Sequence, residues 1–310
     1  MIYLYLITGL IILLLGGELL VNGAVRTANK FRISPIVIGL TIVSFGTSLP
    51  ELLVSLRAAL IGSPGITIGN VIGSNIANLT LVLGATVILM PIIIEKKQHF
   101  KNWIFMFLIS IAFYFFALDG WINTIEAILL FTSLIAFILI VIRNSNRNLK
   151  KDDIVDKRYR QNKKISHIII YLISGGLGLY FGSELLVYSA VEITRAWGWS
   201  EAVIGATVIA LGTSLPELTA SCVAAYKNEA AISIGNLIGS NIFNILAIVG
   251  ITALVEPIKV LAEIMTNEMY WFLGVSLLVA PILFLGAKIS RIKGIALLLL
   301  YSFFIYYIIF

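Results

Sequence analysis

The heptapeptide Gly-Thr-Ser-Leu-Pro-Glu-Leu occurs twice, at 46–52 and at 212–218, and each copy sets two hydroxyls beside one carboxylate. Thr47, Ser48, Glu51 and Thr213, Ser214, Glu217 are therefore the first candidates for chemistry. A proline inside a helix lacks the N–H that its turn needs and clashes with the carbonyl four residues back. Pro50 and Pro216 would in this way free the carbonyls of Gly46 and Gly212. A second repeated element reads Gly-Asn-Val-Ile-Gly-Ser-Asn-Ile-Ala-Asn at 69–78 and Gly-Asn-Leu-Ile-Gly-Ser-Asn-Ile-Phe-Asn at 235–244. On a helix, Asn70, Ser74 and Asn78 fall on one stripe, as do Asn236, Ser240 and Asn244. Every ligand so assembled is hard oxygen. Such sets suit Ca²⁺, which takes roughly six to eight oxygens in flexible geometry, and by the same hardness Na⁺; zinc and copper prefer His and Cys.

The elements that must hold these residues are membrane spans. With 59% hydrophobic and 12% charged residues and a mean hydropathy of +1.01, a 310-residue chain has more apolar surface than soluble cores could hide. An α-helix needs about 20 apolar residues to cross ~30 Å of hydrocarbon. Ten such runs are present, at 2–24, 35–60, 66–93, 100–118, 121–142, 165–190, 201–226, 232–257, 268–287 and 292–310. The alternation of a membrane β-barrel is absent, so the expected fold is an all-α integral membrane protein with ten transmembrane helices. The first run carries Glu18 and no basic leader, which marks a mature helix rather than a signal peptide. Cys222 is the only cysteine, which excludes an intrachain disulfide and a thiolate metal site. His99 and His167 lie beside lysines at span ends and are expected at the interface.

A carboxylate at the bilayer centre costs ~2.5–3.5 kcal/mol on insertion scales, so Glu51 and Glu217 must earn their place in function or pairing. The competing structural reading is a buried glutamate paired with a membrane cation, and only Arg57 is at hand, on another helix face. The polar stripes likewise must face protein or water. Gly69, Gly73, Gly235 and Gly239 have the spacing of small-residue packing seams, with Asn75 and Asn241 as interhelical hydrogen-bonding groups.

The whole-chain pattern is a tandem duplication. An offset of 166 residues holds without a gap from 33–92 to 199–258, with 29 of the 60 positions identical, and it extends back to pair Glu18 with Glu184. Five spans per copy is an odd number, so the second copy starts from the opposite side of the membrane. That gives two inverted five-helix repeats, 1–143 and 165–310, joined by a basic linker at 144–164, the plan of secondary transporters with midplane sites. Of 22 basic residues, 19 fall in loops on one side, two on the other, and Arg57 within a span. The positive-inside bias puts both termini outside the cell and the linker in the cytoplasm. It also explains the net charge of +6 without nucleic acid.

These elements resemble the α-repeats of the sodium/calcium exchangers, within the calcium/cation antiporter superfamily, over nearly the whole chain. The resemblance implies Na⁺/Ca²⁺ antiport by alternating access at a midplane site in the plasma membrane, with Ca²⁺ and Na⁺ as transported ions and no organic cofactor. It implies that Glu51 and Glu217 are shared ligands, that Thr47, Ser48, Thr213, Ser214, Ser74 and Ser240 complete the sodium positions, and that backbone carbonyls near Ser44 and Ala210 take part. Asn78 and Asn244 join this set through their stripes. Helices 1 and 6 of such proteins slide to switch access, which suits the glycines around 16–17 and 175–182. Potassium-dependent relatives have Asp where Asn244 stands here, which argues against potassium co-transport. A linker of about twenty residues cannot hold the calcium-sensing domains of animal exchangers, so the resemblance is to the prokaryotic type. H⁺/Ca²⁺ antiport, with the glutamates as proton carriers, is the alternative. No metalloprotease helix or activated serine marks an enzyme, paired broken helices argue against a passive channel, and a monomer embedded in lipid needs no obligatory protein partner.

Overall fold

The computed structural model describes residues 1–93, 96–145, 164–198, 208, 210–286 and 288–309. In lipid each backbone N–H and C=O must be satisfied within the chain, and the long apolar runs accordingly wind into helices. α1 is Ile2–Phe31 and stops where Arg32 turns left-handed at φ 53°. The second span is built in pieces: α2 (Pro35–Ile38), a π-helical segment Gly39–Val43, α3 (Ser44–Thr47) and α4 (Leu49–Leu60). The third joins α5 (Pro64–Ala77) through a π segment, Asn78–Val82, to α6 (Leu83–Leu89). α7 (Lys96–Phe116) and α8 (Thr124–Ser145) follow.

Beyond the linker, α9 (Ile165–Ala196) is the long counterpart of α1. α10 (Ala210–Thr213) and α11 (Leu215–Tyr226) are the counterparts of α3 and α4. α12 (Ala230–Phe243) runs through a π segment, Asn244–Val249, into α13 (Gly250–Val255). A short α14 (Ala262–Thr266), then α15 (Glu268–Phe284) and α16 (Arg291–Ile309), complete the described chain.

Among the described residues, eight helices are long and apolar enough to cross a membrane, and Pro35–Thr47 with Leu49–Leu60, bent by 46°, makes a ninth as one span. The upstream part of the expected span 201–226 and most of the linker 144–164 lie outside the described residues. The structure departs from pure helix at two short antiparallel ladders, β1 (Ile92–Ile93) with β4 (Lys288–Ile289) and β2 (Trp121–Ile122) with β3 (Ile258–Lys259). Each ladder joins one strand from before the linker to one from after it. His99 is 5% exposed, covered by protein in the first turns of α7.

Burial separates two kinds of span. The stripe-bearing segments Pro64–Leu89 and Ala230–Val255 are 78% and 83% buried over their apolar windows, against 22–33% for the other long helices. Polar stripes thus sit where protein, not lipid, surrounds them. α1 and α9 pack against each other in antiparallel fashion along a glycine seam: Gly9 meets Gly182 and Leu186, Gly16 meets Gly175 to Leu179, and Gly23 meets Leu172. At one end of α1, Arg26 lies over the Tyr171 ring at 4.6 Å. Toward the same end, Lys227 donates to Glu18 at 3.0 Å and to Asn22 at 2.8 Å, tying α1 to the end of α11. Glu18 thus makes a cross-helix ion pair. Glu184, its repeat partner, is exposed and has no partner among the described residues.

A Cβ at Gly16 would stand 2.6 Å from the Leu179 backbone nitrogen, where no flexible atom can give way. Gly16→Ala should therefore destabilise the detergent-solubilised protein by ~1–3 kcal/mol through overpacking, read as a lower thermal midpoint. Gly176→Ala on α9, with nothing described within 4 Å, should leave the midpoint level or raise it.

Candidate ion-binding site

The site is built where two helices break and restart. α3 ends at Thr47, Ser48 leaves helical geometry at φ −87° and ψ 5°, and α4 begins at Leu49 with Pro50 in its first turn. The second copy repeats this almost to the degree: Ser214 has φ −89° and ψ 4°, and α11 begins at Leu215 with Pro216. A proline in a first turn gives up no helical hydrogen bond, since that N–H would be an orphan. The prolines thus start new helices rather than kink old ones. Each restart places its glutamate in the first turn, where the positive end of the helix dipole favours a carboxylate.

Glu51 and Glu217 are both 0% exposed, and their carboxyl groups lie within electrostatic reach of each other. Ser48 donates to Glu217 Oε1 at 2.8 Å, crossing from one copy of the motif to the other. Both carboxyl oxygens of Glu51 and Oε2 of Glu217 find no donor. Neither glutamate has an ion pair among the described residues, and Arg57 points outward, exposed. In all, seven buried oxygens of the repeated motifs lack a donor: the three carboxylate oxygens, Ser214 Oγ, and Oδ1 of Asn78, Asn241 and Asn244. A buried polar atom without a partner costs ~1–3 kcal/mol, more when charged. A cation is the kind of partner that the three carboxylate oxygens lack. Among the described residues there is no group of three or more His, Cys, Asp or Glu that could hold a metal. The donor set is thus two carboxylates with hydroxyl and amide oxygens, chemistry fitted to Ca²⁺ and Na⁺.

A second layer fixes the glutamates in place. Asn70 donates to Ser55 Oγ at 2.9 Å and to the Glu51 carbonyl at 3.2 Å, while Thr67 donates to the Ser55 carbonyl at 2.9 Å. The second copy does the same: Asn236 to Ser221 Oγ at 3.0 Å and to the Glu217 carbonyl at 3.5 Å, and Ser233 to the Ser221 carbonyl at 2.9 Å. Asn70 and Asn236 of the stripes therefore position the carboxylates. Ser55 and Ser221 escaped the motif reading, yet they are identical at the 166-residue offset, and that identity was the available signal.

The remaining sequence candidates fall around this pair. Thr47 donates toward Asn236 Oδ1 at 3.2 Å and lies 3.4 Å from Ser240 Oγ. Ser44 Oγ bonds the carbonyls of Gly39 and Asn236, and its own carbonyl accepts from Ser48 N–H and Thr47 Oγ1. Gly239 allows this close approach, since a Cβ there would lie 2.2 Å from Ser44 Oγ. The seam expected at Gly235 and Gly239 is thus real, whereas Gly69 and Gly73 meet no described residue within 4 Å. Ser74 is 3% exposed, Thr213 is half-buried and bonded, and Ala210 opens α10. Asn244 donates to Asn75 Oδ1 at 3.1 Å, so Asn75 joins two helices as expected. Asn241 instead donates to Leu237 of its own helix. Asn78 and Asn244 each open a π segment. Such bulges gather at functional sites because the widened turn re-aims its groups; none was legible in the motifs.

Comparison with known proteins agrees with this geometry. The family model described as "Sodium/calcium exchanger protein" matches residues 1–143 and 167–310. Membrane protein MJ0091 of Methanocaldococcus jannaschii is 37% identical over 302 residues, covering 96% of this chain and 94% of its own length. Sodium/calcium exchanger MaX1 of Methanosarcina acetivorans is 29% identical over 336 residues, covering 96% of each. The solved structure of the sodium-calcium exchanger NCX_Mj, soaked without Na⁺ and Ca²⁺, superposes with a TM-score of 0.83 at 34% identity, covering 98% of this chain and 97% of that one. The chain belongs to the sodium/calcium exchanger family.

Proposed function

We propose that the protein exchanges Na⁺ for Ca²⁺ across the membrane, with Glu51 and Glu217 as the shared ligands. The observation that carries this reading is the pair of fully buried glutamates with three carboxylate oxygens left without a donor or a counter-charge. Family membership supports it, as does the likeness to an exchanger whose structures were determined with Na⁺ and Ca²⁺ soaks. Thr47, Ser48, Ser74 and Asn78, with Thr213, Ser214, Ser240 and Asn244, complete the ion positions. The carbonyls near Ser44 and Ala210 are their backbone complement.

Coupling follows from electrostatics. Two bare carboxylates in a low-dielectric site repel each other and hold on to water, so an empty site resists closure. One Ca²⁺ or several Na⁺ neutralise the pair and let the site be sealed from both sides. Because both ions need the same oxygens, one leaves when the other binds, and each crossing carries one kind of ion. In this account ten helices form two inverted repeats, 1–143 and 165–310, and the reciprocal β1–β4 and β2–β3 ladders and the twin tie-bonds at Ser55 and Ser221 support that symmetry. Access alternates as α1 and α9 move together over the rest, a motion suited to helices joined by a close glycine seam. The chain lies in the plasma membrane as a monomer, both termini outside and the linker 144–164 in the cytoplasm.

Two outcomes check the proposal in proteoliposomes given ⁴⁵Ca²⁺ on the outside. Glu51→Gln and Glu217→Gln should each reduce Na⁺-driven Ca²⁺ flux at least a hundredfold, about the loss of one charged ligand worth ~3 kcal/mol or more; near-normal flux in either variant would sink the assignment. An imposed Na⁺ gradient should drive uptake, while K⁺ or H⁺ gradients of the same size should not. Uptake driven by H⁺ without Na⁺ would reassign the coupling ion.

A further inference from the structure

A cavity of about 610 Å³ opens between α7 and α8, away from the glutamates. Its floor is Val37 of α2 and Leu40 of the adjoining π segment. Ser133, Ala136, Phe137, Ile140, Val141 and Asn144 line it along one face of α8, at the three- and four-residue spacing of a helix stripe. On α7 it is lined by Lys101, Asn102 and Phe105, the last stacked on Phe137 at 4.7 Å between ring centroids. The eleven helical steps from Ser133 to Asn144 place the cavity's ends roughly 16 Å apart along α8.

The chemistry changes along that length. Lys101, Asn102, Asn144 and Ser145 gather at the end where α7 starts and α8 stops, which is a membrane surface; aromatic and aliphatic groups follow toward the hydrocarbon. Lys101 is exposed and has no hydrogen bond or ion pair among the described residues, and no Asp or Glu lines the cavity. A cleft that is cationic at the interface and apolar below is complementary to one amphipathic anion. Basic pockets between transmembrane helices hold the headgroups of anionic lipids, each Lys adding attraction near the surface.

We propose that this cleft binds an anionic phospholipid, its phosphate on Lys101 with Asn102 and Asn144 and one acyl chain along Phe105, Phe137 and Ile140. The site is separate from the glutamate pair, so it stands or falls independently of ion exchange. Its occupant braces α7 and α8 against the broken second span through Val37 and Leu40.

The full-length protein in detergent should be titrated with palmitoyl-oleoyl-phosphatidylglycerol and with the phosphatidylcholine of the same chains, reading the thermal midpoint and the lipid retained in native mass spectrometry. Phosphatidylglycerol should raise the midpoint and stay bound, phosphatidylcholine should do neither, and Lys101→Gln should weaken the apparent affinity about fivefold while Lys101→Arg preserves it. Ala136→Trp, which fills the cleft and leaves Lys101 in place, should lose retention as well. If that variant does not fold, dihexanoyl-phosphatidylglycerol on the wild-type protein serves instead and should bind far more weakly than the long-chain lipid. Equal effects of the two lipids, or full retention by Lys101→Gln, would overturn the proposal. So would an equal shift from inorganic phosphate, or short-chain lipid binding as tightly as long-chain, either of which reduces the site to a surface charge.

Discussion

Two carboxylates buried side by side, with no cation balancing them among the described residues, constrain the rest of this structure. A buried charge whose partner is missing costs several kcal/mol, and here neither glutamate has an ion pair among the described residues. On the proposed reading, mobile cations supply the missing charge. The helix restarts at Leu49 and Leu215 set each glutamate in a first turn, at the positive end of a helix. Asn70 with Ser55, and Asn236 with Ser221, then hold the glutamate backbones still. The best-buried spans carry those asparagines, since a hydrogen-bonded polar stripe is tolerated only inside protein.

Around this fixed centre the packing is divided. Close backbone contacts, such as Ser44 against Gly239, lock the second span onto α12. α1 and α9 share a long seam with each other and lean on the centre through fewer features, among them Gly17 against Thr219 and the Lys227 pair with Glu18 and Asn22. That last contact breaks the repeat, because Ile61 stands where the 166-residue offset would call for a lysine. A surface pair of this kind is worth ~0.2–1 kcal/mol.

The glutamates, the prolines and the 166-residue repeat were legible in the sequence because each violates what lipid allows: a charge, a helix breaker and a polar stripe at hydrocarbon depth. Family membership was legible for the same reason. Ser55 and Ser221 were less so, since a serine in a helix usually bonds its own turn, and only their match across the repeat singles them out. The π segments at Gly39, Asn78 and Asn244 depend on how a turn is packed and carry no residue signature. Asn75 and Asn241 look alike in the motif, yet one crosses to a neighbouring helix and the other folds back on its own. Which of the two happens is decided by what stands opposite.

The central claim is that Ca²⁺ and Na⁺ compete for one pair of carboxylates, and equilibrium binding tests it most directly. ⁴⁵Ca²⁺ binding to the purified protein should be measured across a series of Na⁺ concentrations. The account predicts that Na⁺ raises the apparent Kd for Ca²⁺ without limit and with a dependence steeper than first power, because several Na⁺ replace each Ca²⁺. A Ca²⁺ affinity that does not change with Na⁺, or that levels off with both ions bound together, would contradict it.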